Sequence, residues 1–211
     1  GESDDSDAFQ ACFDDSAGKT IVIPDKKYVL KKAIKLNPKI YEYTIRGKSG
    51  TRTCFAPSTA TGREDCTILC HHHFLDGSIE DGYTGKYCLK ISDIKVTLRY
   101  EKDEFDEKDF LHNIKPESSS ISGVTVLFAD HVIKGGLGGA SVIDKCIFMN
   151  VRKAAMADGD YANPVSPSGF VDSTITNCYI NGNAKAGENA SAIKCVIFST
   201  MRVTNCYIDF F

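Results

Sequence analysis

The sequence predicts an all-β fold, a parallel β-helix in which one short strand pattern is stacked on itself. A six-residue pattern of strand-forming residues occurs five times from residue 91 onward. Its copies begin at Ile91, Ile121, Ile143, Ile175 and Val203, with 22 to 32 residues between successive starts. Proteins that stack one supersecondary unit on the next have repeats of roughly 20 to 45 residues.

Within each copy, the spacing between the inward-pointing apolar residues is three residues and then two, rather than two throughout. In the copy Ile175-Thr-Asn-Cys178-Tyr-Ile180, the first two apolar positions are three residues apart and the last two are two apart. Because the side chains of a strand alternate between its faces, all three can point inward only if the chain turns a corner at Asn177. The five corner positions are Asp93, Gly123, Lys145, Asn177 and Asn205. Gly, Asn and Asp enter the left-handed backbone region at low cost, so only the lysine fits poorly.

An antiparallel β-sandwich with coincidentally similar strands is the alternative fold. Five copies with the corner chemistry in register favour the β-helix. The chain stops at Asp209-Phe-Phe211, directly after a strand. Because an uncovered end of the stack would expose a sheet edge, we expect that the natural chain continues or that another element covers this end.

The composition excludes several functional classes. The chain has 211 residues, enough for one large core or one solenoid. A net charge of −3 leaves no electrostatic footprint for a nucleic acid. No apolar run approaches the roughly 18 residues needed to cross a bilayer, so membrane insertion is not expected. The chain begins at Gly1 without Met or a signal-peptide pattern, which indicates a processed or trimmed chain.

The nine cysteines are many for a chain of this length, and their number is odd. Four lie in apolar strand contexts: Cys146, Cys178, Cys195 and Cys206. Three of these share one position of the pattern, so stacking would place them in an interior ladder where a free thiol behaves as a small hydrophobe. We expect reduced thiols in a protein folded in a reducing cytoplasm, rather than a disulfide framework.

Residues 3–16 predict a short helix. Ala8, Phe9, Cys12 and Phe13 form an apolar stripe at helical spacing. Asp7 is expected to cap the helix, with the residue three positions on completing a capping box. Such a helix can cover the first turn of a stacked fold, whose end would otherwise be exposed.

The N-terminal quarter of the chain resembles the pectin-lyase-like superfamily. The resemblance rests on Gly1-x-x-Asp4-Asp5-Ser6-x-Ala8-Phe9-Gln10, on Ile21-Val-Ile-Pro24-Asp-x-x-Tyr28-Val-Leu and on Ile45-Arg-Gly47. It is similar to the family pattern of an acidic opening, a capping helix, a strand ending in Pro, a Tyr and an Arg-Gly turn. The sequence departs from that pattern at Ser6, where Thr is usual, and at Asp25, where a small residue is usual.

This resemblance implies a single-stranded right-handed parallel β-helix with an N-terminal capping α-helix. We expect a capping segment over residues 1–18 and the coils of one domain, incomplete at its C-terminal end, over residues 19–211. The superfamily includes polysaccharide lyases, glycoside hydrolases and the tailspike and tail-fibre proteins of bacteriophages. Its known hydrolase and lyase signatures are not found in this chain, so the resemblance implies the fold more firmly than the chemistry.

Candidate catalytic residues lie in the loops between copies. Glycoside hydrolysis needs two carboxylates about 5 to 9.5 Å apart, and acids on neighbouring coils about 4.8 Å apart can meet that spacing. Asp158, Asp160 and Glu188 lie in consecutive loops and are predicted as a catalytic group. Asp130, His131 and Tyr161 are predicted to bind substrate. For each acid alone, the alternative is a turn-forming or solvated charge.

Two further stretches invite a functional interpretation. The run Cys66-Thr-Ile-Leu-Cys70-His-His-His73 carries residues that ligate zinc, but no second cluster stands at zinc-site spacing, so we predict a histidine-bearing surface strand and no metal. Residues 101–109 contain six acids and two lysines. We interpret the stretch from there through Ser120 as a solvated loop outside the stack. The alternative is a wall of a carbohydrate groove or a subunit contact.

The favoured function is that of a tailspike-like domain that binds and degrades a bacterial surface polysaccharide. The alternatives are a secreted bacterial polysaccharide lyase or glycoside hydrolase, and a receptor-binding β-helix without catalysis. The resemblance implies a homotrimer in a virion tail, assembled in the host cytoplasm. No cofactor is expected, although a lyase would accommodate calcium.

Overall fold

A computed structural model describes residues 3–48, 66–79, 85–98, 108–151, 154–156, 169–182, 191–193, 197–198 and 200–209. One helix, α1 (Ser6–Asp14), begins this part of the chain. The strands are, in chain order, β1 (Thr20–Ile23), β2 (Lys27–Leu30), β3 (Ile34–Lys35), β4 (Glu42–Gly47), β5 (Thr67–Cys70), β6 (Leu75–Asp76), β7 (Gly85–Ser92), β8 (Lys95–Leu98), β9 (Leu111–His112), β10 (Ile114–Pro116), β11 (Ser120–Ser122), β12 (Thr125–Leu127), β13 (Ile133–Lys134), β14 (Val142–Asp144), β15 (Ile147–Val151), β16 (Ala154–Met156), β17 (Gly169–Phe170), β18 (Ser173–Thr176), β19 (Tyr179–Gly182), β20 (Ser191–Ile193), β21 (Ile197–Phe198), β22 (Met201–Thr204) and β23 (Tyr207–Asp209).

Successive segments of the chain contribute strands to three parallel sheets. The first sheet has the order β1-β4-β7-β11-β14-β18-β22, and β10 also pairs with β7. The second has the order β2-β5-β8-β12-β15-β19-β23, and the third is β3-β6-β9-β13-β16-β20; β17 and β21 form a separate pair. The described pairings are parallel, unlike those of an antiparallel sandwich. The protein is therefore all-β with stacked parallel sheets and one short helix, an arrangement compatible with the predicted parallel β-helix.

The five predicted corners are confirmed. Each adopts a positive φ, between 51° and 61°, and each lies between a strand of the first sheet and a strand of the second. Lys145 does so at 53° despite its unfavourable side chain. The pattern residues stack in register, since Ile121 pairs with both Ile91 and Ile143. A one-residue corner thus redirects the chain while the apolar side chains on both sides stay inside.

Buried side chains from all three sheets form one hydrophobic cluster. Cys146 and Cys178 are buried within it at adjacent levels, and Cys206 is partly buried at the next. The seven cysteines of the described part of the chain are all free. Burial raises the pKa of the Cys70 thiol, so this group behaves as an apolar core side chain.

The helix α1 packs on the first strands of the stack. The Phe9 ring meets the Tyr28 ring edge-on with 5.1 Å between centroids, and the Phe13 ring lies 5.9 Å from the Tyr43 ring. Ala8 and Cys12, predicted on the apolar stripe, are exposed instead. With nine residues, α1 is too short to cross a membrane.

The expectation that Asp7 caps α1 is wrong. The cap position is Asp5, whose side chain makes no capping hydrogen bond, and the first helical N–H, that of Ser6, donates to the Asp4 carboxylate at 3.0 Å. The Asp5 carboxylate instead accepts the Val29 N–H at 2.9 Å. The Gln10 side chain both donates to the carbonyl of Lys35 and accepts its N–H, each at 2.9 Å. These polar groups tie the helix to β2 and β3, because those strands lack a preceding neighbour to satisfy their main-chain groups.

The sequence suggested a solvated loop through Ser120, but residues 108–120 do not form one. They contain β9 and β10, and Asp109, Phe110 and Leu111 are fully buried. The acidic residues 101–107 lie outside the described residues. Lys108 and Asp109, the last two residues of the acidic run, are therefore buried in the packed part of the chain.

Candidate functional site

Polar side chains precede three neighbouring strands of the third sheet, β6, β9 and β13. His73, Asp109 and His131 each stand two residues before the first residue of their strand. The first residues of these strands pair with one another in register. Main-chain hydrogen bonds carry the pairing into the turns: the Phe74 N–H donates to the Asp109 carbonyl at 3.0 Å, and the Phe110 N–H donates to the His131 carbonyl at 3.0 Å. Asp109 therefore lies between the two histidines.

The Asp109 carboxylate is fully buried and is bound on both oxygens. Its Oδ1 lies 2.7 Å from Nδ1 of His131 and 3.2 Å from the same residue's main-chain N–H. Its Oδ2 lies 2.6 Å from Nδ1 of His112. Burial alone would raise the pKa of Asp109, but the hydrogen bonds from His112 and His131 outweigh it and hold the pKa below its usual range. The carboxylate is therefore ionised and fixes both rings with Nδ1–H toward it.

His73 closes the cluster on its outer side. Its Nδ1 accepts the Asp109 main-chain N–H at 3.0 Å and lies 3.6 Å from Oδ2 of that residue. Its ring stacks on the His112 ring with 3.6 Å between centroids and 14° between planes. Burial, followed by the proximity of His112, lowers the pKa of His73 to about 4. The ring is consequently neutral near pH 7, with its proton on Nε2 because Nδ1 is an acceptor.

We name His73, Asp109, His112 and His131 the histidine cluster. Its members differ in depth: the side chains of His73 and His112 are 20% and 18% exposed, whereas Asp109 and His131 are buried. Asp76 and Lys134 flank His112 in register on the adjoining strands. The cluster thus reaches from the core to the surface and places a carboxylate and an ammonium group beside its outer rings.

The cluster can support two kinds of chemistry. A carboxylate that holds Nδ1 of an imidazole orients the ring so that Nε2 can take or give a proton. Two histidines with one carboxylate can also ligate a metal ion, and one donor atom each from His73, Asp109 and His112 lies within 4.8 Å of the others. Which chemistry operates depends on what occupies the Nδ1 positions.

The predicted site residues fall into two groups. Asp130 and His131 are described and almost fully buried, and the Asp130 N–H donates to the Lys108 carbonyl at 2.8 Å. His131 belongs to the histidine cluster, where its ring bonds the buried Asp109 carboxylate. Asp158, Asp160, Tyr161 and Glu188 lie outside the described residues. Their catalytic and binding roles, and those of Asp130 and His131, stay predictions.

Sequence reasoning missed Asp109, His112 and the role of His73. A signal was nevertheless present in three short segments: His73-Phe-Leu, Asp109-Phe-Leu and His131-Val-Ile. Each places one polar residue before two apolar ones, and the two apolar residues are buried in all three. Aligning these segments as one repeat position would have stacked the three polar side chains.

Comparison with known proteins finds no relative whose functional residues could be compared with this site. No protein family model matches the chain, and neither the curated proteins nor the solved structures contain a significant match.

Proposed function

We propose that this chain is part of a right-handed parallel β-helix of the pectin-lyase-like kind that binds and cleaves an extended bacterial surface polysaccharide, as in a bacteriophage tailspike. The stacked sheets support this, because seven strands about 4.8 Å apart give a face roughly 30 Å long. A long polymer can bind along such a face. The resemblance of residues 1–47 to the superfamily signature also supports it.

The observation that carries the catalytic part is the contact between Asp109 and His112. A buried, ionised carboxylate lies 2.6 Å from Nδ1 of an imidazole whose side chain is 18% exposed. This leaves Nε2 of His112 to act as the general base or acid. On a glycosidic bond it would activate water, and on a uronate it would remove the proton next to the carboxylate. Lys134 pairs in register with His112 on the adjoining strand, and in this proposal its ammonium group balances developing negative charge.

The predicted acids Asp158, Asp160 and Glu188 remain the second group that could supply this chemistry. A homotrimer is part of the proposal, with the virion tail as its location after assembly in the host cytoplasm; a secreted monomer is the alternative. Light scattering on the full chain distinguishes a trimer from a monomer.

The function is tested with the full chain and a panel of bacterial capsular and O-antigen polysaccharides. New reducing ends indicate hydrolysis, and absorbance of unsaturated uronates indicates elimination. His112→Gln is expected to slow cleavage by about 10²- to 10⁴-fold, as removal of a general acid or base does. The matched control is His72→Gln, which changes an exposed histidine next to His73 and outside the cluster and should leave cleavage unchanged.

The outcomes separate the alternatives. If His112→Gln cleaves at the normal rate while Asp158→Asn, Asp160→Asn or Glu188→Gln does not, the acids carry the reaction. Binding to one polysaccharide without any product identifies a receptor-binding protein without catalysis. An absence of both binding and cleavage across the panel contradicts the proposal.

A further inference from the structure

We propose that His73, Asp109 and His112 form a binding site for a divalent transition-metal ion of the zinc type. One donor atom from each lies within 4.8 Å of the others. Two imidazoles and one carboxylate are a ligand set of zinc centres and of mononuclear iron centres. This inference does not depend on polysaccharide cleavage, because the site would hold an ion whether or not the protein acts on sugars.

The distances between the donor atoms suit a small ion. Zinc bonds of about 2.0 to 2.1 Å place tetrahedral ligands about 3.3 Å apart. Around Oδ2 of Asp109, Nδ1 of His112 lies at 2.6 Å and Nδ1 of His73 at 3.6 Å. An ion that replaced the proton between Asp109 and His112 would lengthen the first of these distances by roughly 0.7 Å and shorten the second by roughly 0.3 Å to meet that spacing.

Nδ1 of His73 lies toward Asp109 rather than toward solvent. It accepts the Asp109 main-chain N–H at 3.0 Å and lies 3.6 Å from Oδ2 of that residue. Metal binding would turn its lone pair from this N–H to the ion. The His112 ring stacks nearly parallel on the His73 ring, so one of the two rings must turn for both Nδ1 atoms to bind the same ion. His73 and Asp109 lie in the turns before β6 and β9, and His112 lies in β9 itself. Because β6 and β9 pair with each other in the third sheet, the movement of the donors is limited.

The other oxygen of Asp109 is held independently. His131 donates to Oδ1 through its ring and through its main-chain N–H, at 2.7 and 3.2 Å. Metal-binding carboxylates are commonly fixed in this way, and loss of such a partner weakens metal binding by about 10- to 100-fold. His131 is therefore a positioning residue that leaves Oδ2 to the ion.

Charge and access are also suitable. The outer rings reach the surface, while Asp109 is fully buried. The ion would consequently be reached from the imidazole side and could carry a water molecule there. Asp76 pairs in register with His112 and adds a second carboxylate beside the site. Calcium fits poorly, because it takes six to eight oxygen ligands and two of these three donors are nitrogens.

Occupation would change the acid–base role of His112. With its Nδ1 bound to an ion, the ring no longer has the Asp109-oriented tautomer that the proposed general base requires. The metal-free and metal-loaded proteins are therefore expected to differ in any cleavage activity.

The test is titration of the metal-free, reduced full chain with Co²⁺, followed by its visible absorption. One equivalent is expected to give weak ligand-field bands without the intense near-ultraviolet band of thiolate ligation, because no cysteine contributes to the site. Zn²⁺ should abolish the bands by competition. His73→Asn and His112→Asn should each remove them, and His72→Asn should leave them unchanged as the matched control.

His131→Asn provides an independent variant, because it removes a positioning group and no ligand. It should retain the bands and weaken Co²⁺ binding by about 10- to 100-fold. Circular dichroism establishes that each variant is folded; His73→Asn is the variant expected to tolerate the change best, since its side chain is partly exposed. Absence of bands at one equivalent, a thiolate band alone, or bands that persist in both His73→Asn and His112→Asn would overturn the proposal.

Discussion

Asp109 and His131 are joined by a hydrogen bond of 2.7 Å between buried atoms, although they lie 22 residues apart in the sequence. The bond connects equivalent positions of neighbouring segments in the stack. It therefore depends on the register of β9 and β13 and not on any local pattern. A buried ionised carboxylate is tolerated here because every oxygen has imidazole or main-chain donors.

The first prediction concerns the stability that this carboxylate provides. Asp109→Asn keeps the size of the side chain but replaces one acceptor by an NH₂ group that faces an imidazole N–H. We expect the free energy of unfolding to fall by about 1 to 3 kcal/mol, the cost of a buried donor left without an acceptor. Urea denaturation followed by circular dichroism measures the change.

The control for this variant is Asp15→Asn, which removes an exposed carboxylate paired with Lys19 at 2.9 Å. Exposed ion pairs contribute little, so its stability should change by less than about 0.5 kcal/mol. Equal losses in the two variants would show that Asp109 has no special structural role.

The second prediction concerns the corner at Lys145. Its φ of 53° lies in the left-handed region, which costs an ordinary side chain roughly 1 to 2 kcal/mol and costs Asn less. Lys145→Asn should therefore raise the free energy of unfolding by about 1 kcal/mol. The lost pair with Asp144 offsets little of this gain, because it spans 3.7 Å at the surface.

Lys39→Asn is the comparison for the corner variant, because Lys39 is exposed and lies outside the positive-φ positions. It should leave stability nearly unchanged. A Lys145→Asn protein no more stable than the parent would mean that the strain at this corner is relieved elsewhere.

The corners and the strand faces could be predicted because both follow from local rules. Side-chain alternation and the low cost of a positive φ at Asn, Asp and Gly act within six residues. They located Asp93, Gly123, Asn177 and Asn205, and the register even imposed the same geometry on Lys145. The parallel pairing followed from repetition of that pattern.

The histidine cluster could not be predicted in the same way. His73 and Asp109 are 36 residues apart, whereas Asp109 and His131 are 22 apart, so no fixed period aligns them. The insertion between β8 and β9 sets that difference. The acidic residues before Asp109 also made this aspartate resemble a solvated charge. The two residues that follow it, however, are buried in the core.

The third prediction concerns acid and the N-terminal carboxylate of Asp4. Its Oδ1 accepts the Ser6 hydroxyl at 2.5 Å, the Ser6 N–H at 3.0 Å and the Lys31 N–H at 3.2 Å. The Ser6 hydroxyl, followed by the Ser6 N–H, lowers the pKa of Asp4 to about 2 from 3.8. Because the folded value is the lower one, the stabilisation is complete above the unfolded pKa and is lost as the pH falls through about 2.

The difference in unfolding free energy between the parent and Asp4→Asn should consequently be largest above about pH 5, fall steeply toward pH 2 and vanish below it. Denaturation series across this range measure it. Ser6→Ala removes the principal donor, so it should flatten the pH dependence without removing the carboxylate. A difference as large at pH 2 as at pH 6 would contradict the assigned role of these bonds.

The fourth prediction concerns the accessibility of the thiols. Cys12 is exposed on α1, whereas Cys70, the last residue of β5, is fully buried. The thiolate is the reactive form, and burial raises the pKa of Cys70, so this thiol is both shielded and protonated. In native reduced protein treated with iodoacetamide, mass spectrometry should find Cys12 alkylated first and Cys70 unmodified.

Unfolding in urea is the control: both thiols should then be alkylated at similar rates, since only unfolding exposes Cys70. Alkylation of Cys70 as fast as Cys12 without urea would show that the second sheet opens locally in the native protein.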